Sequence, residues 1–179
     1  ADEYNLPKSL LDKLTEICNN SVCIHLDEKN SSLGIMDTYF AECQIASYIL
    51  SQLKKNKPLD IDWEKYKEVN GIVMTDNQLK APKHLCESLV SLLLGYSGSG
   101  KTTAVNALIR LCEDNGLTYT LLAPTGRASL RMTESTHRKA STIHRKALKD
   151  AEINTDVLIV DECSMIDLPT FIMMLNVIT

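Results

Sequence analysis

The sequence predicts an α/β fold with a parallel sheet, preceded by a small helical domain. Three short runs of nearly uninterrupted apolar residues, at 89–94, 117–123 and 157–160, lie in the second half of the chain. Runs this apolar are typical of strands that are covered on both faces, as in parallel sheets. A helical stretch at 102–112, which ends near Gly116, separates the first two runs. Strand, glycine turn, helix and strand therefore follow one another as a βαβ unit.

The first seventy residues predict mainly helices. Apolar residues recur at helical spacing in 10–18 and again in 40–53, and a short amphipathic helix is expected at 62–69. Residues 22–26 are apolar enough for a short strand. Because this part contains no chemical motif, we expect residues 1–70 to form a helical accessory domain and residues 71–179 to form the main domain.

Composition excludes several classes of protein. The 179 residues are 44% hydrophobic, which is typical of a globular protein with a core. No uncharged apolar run approaches the roughly 20 residues that a membrane span needs, and the acidic N-terminus is unlike a secretory signal. The six cysteines form no CxxC pair and have no histidines at zinc spacing. We therefore expect buried free thiols in a reducing cytoplasm, with no disulfide and no membrane partner.

The charge is unevenly distributed. The net charge is -4, yet residues 127–149 carry seven basic side chains and one acidic one. A basic stretch on an acidic protein indicates a directed anion site, such as the phosphate backbone of a nucleic acid. A solvated helix face is the alternative, and charge alone leaves both interpretations open.

A phosphate-binding loop is the strongest motif. Residues 95–102 read Gly-Tyr-Ser-Gly-Ser-Gly-Lys-Thr and match GxxxxGK[ST] between a predicted strand and a predicted helix. Glycines let the backbone N–H groups approach the phosphates, and the helix N-terminus adds its positive dipole. Lys101 is expected to reach the β- and γ-phosphates of ATP, and the Thr102 hydroxyl to bind Mg²⁺. The expected nucleotide-binding residues of this segment are Gly95, Ser97, Gly98, Ser99, Gly100, Lys101, Thr102 and Thr103.

An acidic pair follows the third apolar run. In Asp161 and Glu162 we recognise the Walker B pattern, in which the first carboxylate holds the Mg²⁺ shell. The second acid is placed to polarise the attacking water as a general base. Two adjacent acids favour hydrolysis of ATP over transfer of phosphate to a bound acceptor. We therefore assign catalytic roles to Lys101, Asp161 and Glu162.

Four features resemble the RecD-like superfamily 1 DNA helicases, the exodeoxyribonuclease V alpha-subunit family. Residues 123–129 (APTGRAS) resemble the family's APTGRAA segment, and 141–145 (STIHR) resemble its STIHR element. Residues 161–169 (DECSMIDLP) resemble the DEASMVDLP of motif II. Gln78, seventeen residues before Gly95, stands where these helicases have a glutamine that reads the adenine edge. The resemblance covers residues 75–170.

The resemblance implies a RecA-like motor domain that uses ATP to translocate on DNA and unwind it, in recombination and repair. It also implies that Thr125, Arg127, Thr142 and His144 line the path of single-stranded DNA. The basic stretch agrees with this, since such contacts give salt-dependent affinity without reading sequence. Other subunits of a recombination nuclease complex are further expected partners. Residues with alternative interpretations are Gln78, which also fits a capping box with Thr75, and His144, which also fits a loop-orienting role.

The sequence departs from the family in two respects. Tyr96 and Ser97 stand where RecD-like proteins usually have Gly-Pro, which puts the rigidity of the loop in question. No segment resembles motif III or a second motor domain with an arginine finger, so we expect a piece of a longer helicase. Such a piece should bind Mg-ATP or ADP, hydrolyse ATP slowly at best and bind single-stranded DNA weakly.

Two other functions compete with the helicase. A P-loop kinase would suit the phosphate loop, but it would leave the Asp161–Glu162 pair and residues 123–129 unexplained. A non-catalytic nucleotide-binding adaptor could use the helical N-terminus to bind a partner, but an intact Glu162 disfavours it.

Overall fold

The structure is a computed structural model. It describes residues 24–27, 32–53, 61–69, 71–96, 98–150 and 152–178, together with Ser9, Asp12, Lys13, Glu16 and Ile17. The chain divides into two compact units, Ala1–Ala46 and Ser47–Thr179. The boundary at residue 70, between the accessory and main domains, stays a prediction.

The first unit contains strands as well as helices. Strands β1 (Ile24–Asp27) and β2 (Ser32–Ile35) form an antiparallel hairpin, with Ile24 opposite Ile35. The strand expected at 22–26 is therefore present, displaced toward Asp27. Helix α1 (Met36–Leu53) follows β2 directly and continues past the end of the unit. None of the α1 side chains is buried.

After the end of α1, the second unit contains a 3-10 turn (Trp63–Tyr66), a short hairpin and a helix. Strands β3 (Glu68–Val69) and β4 (Ile72–Val73) pair antiparallel, and helix α2 (Asp76–Leu85) follows. The prediction of an amphipathic helix at 62–69 is thus wrong, except for the single turn at Trp63–Tyr66. From Glu68 the chain is extended and pairs with β4.

The main sheet has three parallel strands, in the order β6-β5-β7. These are β5 (Tyr119–Ala123), β6 (Ala140–Thr142) and β7 (Val157–Val160). The prediction of an α/β fold with a parallel sheet is confirmed. The helices around the sheet are α3 (Lys101–Asp114), α4 (Gly126–Thr136), α5 (Ile143–Lys149) and α6 (Leu168–Val177).

Helices cover both faces of this sheet. Side chains alternate along β5, so Leu121 packs on one face with Ile109 of α3 and Met132 of α4. Leu122 packs on the other face with Ile143 of α5, and Met174 of α6 belongs to the same cluster. The result is a three-layer arrangement in which β5 is the central strand.

The strand expected at 89–94 is not formed. This segment has no strand pairing among the described residues, and Leu89, Leu92 and Leu94 are 55%, 64% and 79% exposed. The chain leaves α2 through a turn in which the Ser91 hydroxyl donates to the Leu85 carbonyl oxygen. An apolar run indicates a tendency to be buried, but a strand also requires the N–H and C=O groups of a neighbour. The predicted helix and second strand of the βαβ unit are present as α3 and β5.

The four cysteines that the structure describes are less buried than expected, and Cys18 and Cys23 lie outside the described residues. Cys112 is buried and Cys86 is partly buried, and burial raises the pKa of each thiol to about 11. Cys43 and Cys163 are exposed, so the expectation of buried thiols is wrong for them. Cys43 lies on α1, which buries no side chain, and Cys163 lies in the turn after β7. No helix among the described residues has the length and apolarity needed to cross a membrane.

Candidate nucleotide and DNA site

Glycine suits the backbone of the phosphate loop at three positions. Gly98 and Gly100 have φ values of 76° and 89°, in the left-handed region that side chains disfavour. At Gly95, an added Cβ would lie 2.5 Å from the Ser99 hydroxyl oxygen. Ser97, a predicted nucleotide-binding residue, lies outside the described residues. The described glycines therefore form a close-fitting backbone loop at the start of α3.

Lys101 is the first residue of α3 and folds back over this loop. Its ammonium donates to the carbonyl oxygens of Gly95, at 2.5 Å, and Tyr96, at 2.8 Å. Thr102 is exposed and Thr103 is half-buried in the same first turn. The N–H groups at a helix start, a lysine and an exposed hydroxyl fit a nucleotide phosphate with Mg²⁺.

Gln78 lies beside the phosphate loop and also caps α2. Its side-chain oxygen accepts from the Thr75 N–H at 3.0 Å, and its own N–H donates to the Thr75 hydroxyl at 3.3 Å. The amide nitrogen lies 3.0 Å from the place that a Cβ on Gly100 would occupy. The capping box is thus formed, and it holds the amide against the loop.

The acidic pair follows directly on β7. The Asp161 N–H donates to the Leu122 carbonyl oxygen at 3.0 Å, which places this residue at the carboxyl edge of the sheet. Its exposed carboxylate accepts from the Glu162 N–H at 2.9 Å. Glu162 has a φ of 52°, which is uncommon for a residue with a side chain.

Glu162 has a partner that the sequence did not indicate. The Arg131 guanidinium of α4 donates to a Glu162 carboxylate oxygen at 2.6 Å. The two residues are 31 positions apart, so no local spacing rule links them. The location of Arg131 in the basic stretch was the only available signal.

The predicted DNA contacts lie at the same edge of the sheet. Thr125 is the N-cap of α4 and accepts from the Ala128 N–H, and Thr142 is the N-cap of α5 and accepts from the Arg145 N–H, each at 3.2 Å. Because Ala123 and Thr142 are partners in parallel strands, both caps lie where these strands end. The exposed side chains of Arg127 and His144 follow in the first turns of the two helices.

The basic stretch is partly neutralised. Its ion-paired members are Arg131 with Glu162, Arg138 with Glu113, and Lys146 with Asp150. Arg138, with help from Tyr119, lowers the pKa of Glu113 to about 2. Within the part of the chain that the structure describes, four exposed members have no ion pair: Arg127, Lys139, Arg145 and Lys149. A surplus of positive charge is thus available to an anion.

Comparison with known proteins identifies the family. A family model described as an AAA domain matches residues 78–179. The chain is 36% identical over 101 residues to the ATP-dependent RecD2 DNA helicase of Deinococcus radiodurans, covering 51% of this chain and 14% of that protein. It is 32% identical over 177 residues to the RecBCD enzyme subunit RecD of Haemophilus influenzae, covering 75% of this chain and 28% of that protein. The chain therefore belongs to the AAA domain family and is RecD-like within it, as the four sequence features predicted.

Proposed function

We propose that this chain is the nucleotide-binding part of an ATP-dependent DNA helicase or translocase that acts in recombination and repair. The main support is the packing of α3 against α4 through Ile109 and Met132. Lys101 lies in the first turn of α3, and Arg127 lies in the first turn of α4. A change at the phosphate loop therefore has a direct packed route to the candidate DNA contacts.

In this proposal each residue of the nucleotide site has one role. The Lys101 ammonium exchanges its loop carbonyls for phosphate oxygens, and Gln78 contacts the adenine. Thr102 and Asp161 hold Mg²⁺, which when bound neutralises charge on the phosphates. Glu162 orients and deprotonates the attacking water. Gly95, Gly98 and Gly100 give the backbone its close approach to the phosphates.

The DNA contacts follow the sheet edge. Arg127 is exposed and has no ion pair among the described residues, so it can bind a phosphate of the strand. The Thr125 and Thr142 hydroxyls accept from helix N–H groups and keep their own protons to donate. His144 lies in the first turn after Thr142. Such contacts grip the backbone of single-stranded DNA without reading its sequence.

The relatives suggest the setting. One is named a DNA helicase and the other a subunit of the RecBCD enzyme. The chain spans 14% and 28% of their lengths, so translocation and unwinding are proposed for a whole protein of this type. We propose single-stranded DNA as the partner, with other subunits of a recombination nuclease complex as further partners in the cytoplasm. Residues 1–70 are proposed to form the accessory part.

The proposal is tested by ATP binding to this chain, and by ATP turnover of this chain and of a whole protein that contains it, each with and without oligothymidylate. We expect fluorescent ATP to bind the chain in a Mg²⁺-dependent manner, the chain to hydrolyse ATP slowly, and oligothymidylate to raise the turnover of the whole protein. Glu162→Gln should keep ATP binding and lose turnover. Turnover by the whole protein that ignores DNA would refute the helicase proposal. Turnover that depends on a phosphate acceptor would instead favour a P-loop kinase.

A further inference from the structure

The ion pair between Arg131 and Glu162 joins the two halves of the proposed site. Glu162 is the proposed general base, and Arg131 belongs to α4, the helix that Thr125 caps and that begins among the proposed DNA contacts. At 2.6 Å, the guanidinium donates to one of the two carboxylate oxygens of Glu162, the group that would activate the attacking water. The side chains are 60% and 30% exposed, so solvent and ligands can reach the pair.

Arg131 lies on the same face of α4 as a proposed DNA contact. It is four residues after Arg127, and residues at this spacing are neighbours on a helix surface. A strand whose phosphate binds Arg127 therefore brings further phosphates toward Arg131. Guanidinium groups bind phosphate through paired, charge-assisted hydrogen bonds, so DNA can compete with the carboxylate for this side chain.

We propose that Arg131 is a positioning residue that restrains Glu162 until single-stranded DNA is bound. In the absence of DNA the guanidinium holds the carboxylate toward α4 and away from the attacking water. When phosphates bind Arg131, the carboxylate is released to the nucleotide site. The inference rests on the proposed function and deepens it, because it names the contact through which DNA stimulates hydrolysis.

Thermodynamic linkage gives the inference a test that does not depend on turnover. If Glu162 and DNA compete for Arg131, removing the carboxylate must strengthen DNA binding, and only when Arg131 is present. A partly exposed ion pair predicts a change of about threefold to fivefold in the dissociation constant.

The experiment is a double-mutant cycle on oligothymidylate binding, measured by fluorescence anisotropy without nucleotide. The four proteins are the wild type, Arg131→Gln, Glu162→Gln and the double variant. We expect Glu162→Gln to tighten binding about threefold to fivefold in the wild-type background and to have almost no effect in the Arg131→Gln background. Arg131→Lys should keep part of the effect, because it keeps the charge but loses the paired donors.

Glu113→Gln is a matched control, because it removes the same charge and breaks another Arg–Glu pair, with Arg138. It should change oligothymidylate affinity much less than Glu162→Gln does. In ATP turnover, Arg131→Gln should raise the rate without DNA, so that stimulation by DNA falls. Equal tightening by Glu162→Gln with and without Arg131 would overturn the inference and leave the proposed function standing. No oligothymidylate binding by any of the four proteins would overturn both.

Discussion

The ammonium of Lys101 lies 2.5 Å from the carbonyl oxygen of Gly95, six residues earlier in the chain. A second hydrogen bond, to the carbonyl of Tyr96, closes the same loop. The lysine therefore bonds to the loop itself, in addition to the role that its motif predicts. Tyr96, whose carbonyl accepts one of these hydrogen bonds, stands together with Ser97 where the family usually has Gly-Pro.

Lys101→Met should affect both roles, because it keeps most of the aliphatic stem and removes the charge. We expect ATP affinity to fall at least about tenfold, which corresponds to the loss of about 1.4 kcal/mol of binding energy. Amide hydrogen exchange of residues 95–100 should also become faster in the absence of nucleotide. Lys80→Met is the control, since among the described residues the Lys80 ammonium has one hydrogen bond, to the nearby Asn77. Undiminished ATP binding by Lys101→Met would contradict the assigned role.

Gly100→Ala should impair the nucleotide site more than its cost in stability suggests. The residue has a φ of 89°, and the new methyl group would come within 3.0 Å of the Gln78 amide nitrogen. Gly116→Ala is a matched control, with a φ of 66° and no atom within 4 Å of the added carbon. Each left-handed alanine should lower the free energy of unfolding by about 1 kcal/mol. Only Gly100→Ala should also weaken binding of ATP, which nucleotide titration checks.

Thr125 has a capping role that substitution can separate from DNA binding. Thr125→Ala should cost about 1 kcal/mol of stability, because the Ala128 N–H loses its acceptor. Thr125→Asp should restore the cap, and with it the thermal unfolding temperature. The added negative charge should nevertheless weaken binding to oligothymidylate. If the aspartate variant binds DNA as well as the wild type, Thr125 is a cap and does not approach the strand.

The pair between Glu113 and Arg138 should make stability depend on pH in the acid range. Arg138, together with Tyr119, lowers the pKa of the Glu113 carboxyl from its ordinary 4.5 to about 2. The folded state therefore binds this proton less readily than the unfolded state does. The resulting stabilisation is complete above about pH 5 and is lost as the pH falls toward 2.

Glu113→Gln should accordingly lower the thermal unfolding temperature at pH 7, and its difference from the wild type should shrink as the pH falls below 4.5. The control is Glu134→Gln, which makes the same charge change at an exposed residue of α4 with no ion pair among the described residues. A difference that stays constant down to pH 3 would show that the pair is not responsible.

The sequence predicted those elements whose local pattern and tertiary setting agree. Strand β7 occupies 157–160 as expected, and the expected capping box of Thr75 and Gln78 is formed at the start of α2. A cap or a short apolar strand is specified within a few residues, so it can be predicted from the sequence. Thr125 and Thr142 stand at the carboxyl ends of β5 and β6, and parallel strands end at the same edge of a sheet. Their common location could therefore also be predicted from the sequence.

Features that depend on distant partners were not predictable. Residues 89–94 have the apolar composition of a strand. A strand forms only where a neighbouring strand can pair with it, and composition does not show whether such a strand is available. The partner of Glu162 could not be predicted either, because residues 127–149 contain seven basic side chains and the sequence does not show which of them pairs with Glu162. Which of them reaches Glu162 depends on how α4 lies on the sheet, and within the described part of the chain Arg131 alone does so.

The exposed leucines between α2 and the phosphate loop also have a practical consequence. Exposed apolar surface favours association between copies of a chain, and so does a strand at the edge of a sheet, the position that β7 has among the described strands. Light scattering should therefore rise with protein concentration and with sulfate, which strengthens apolar contacts. Leu92→Lys and Leu94→Lys should reduce that scattering without altering the unfolding temperature, and such variants would be the better starting material for every binding measurement above.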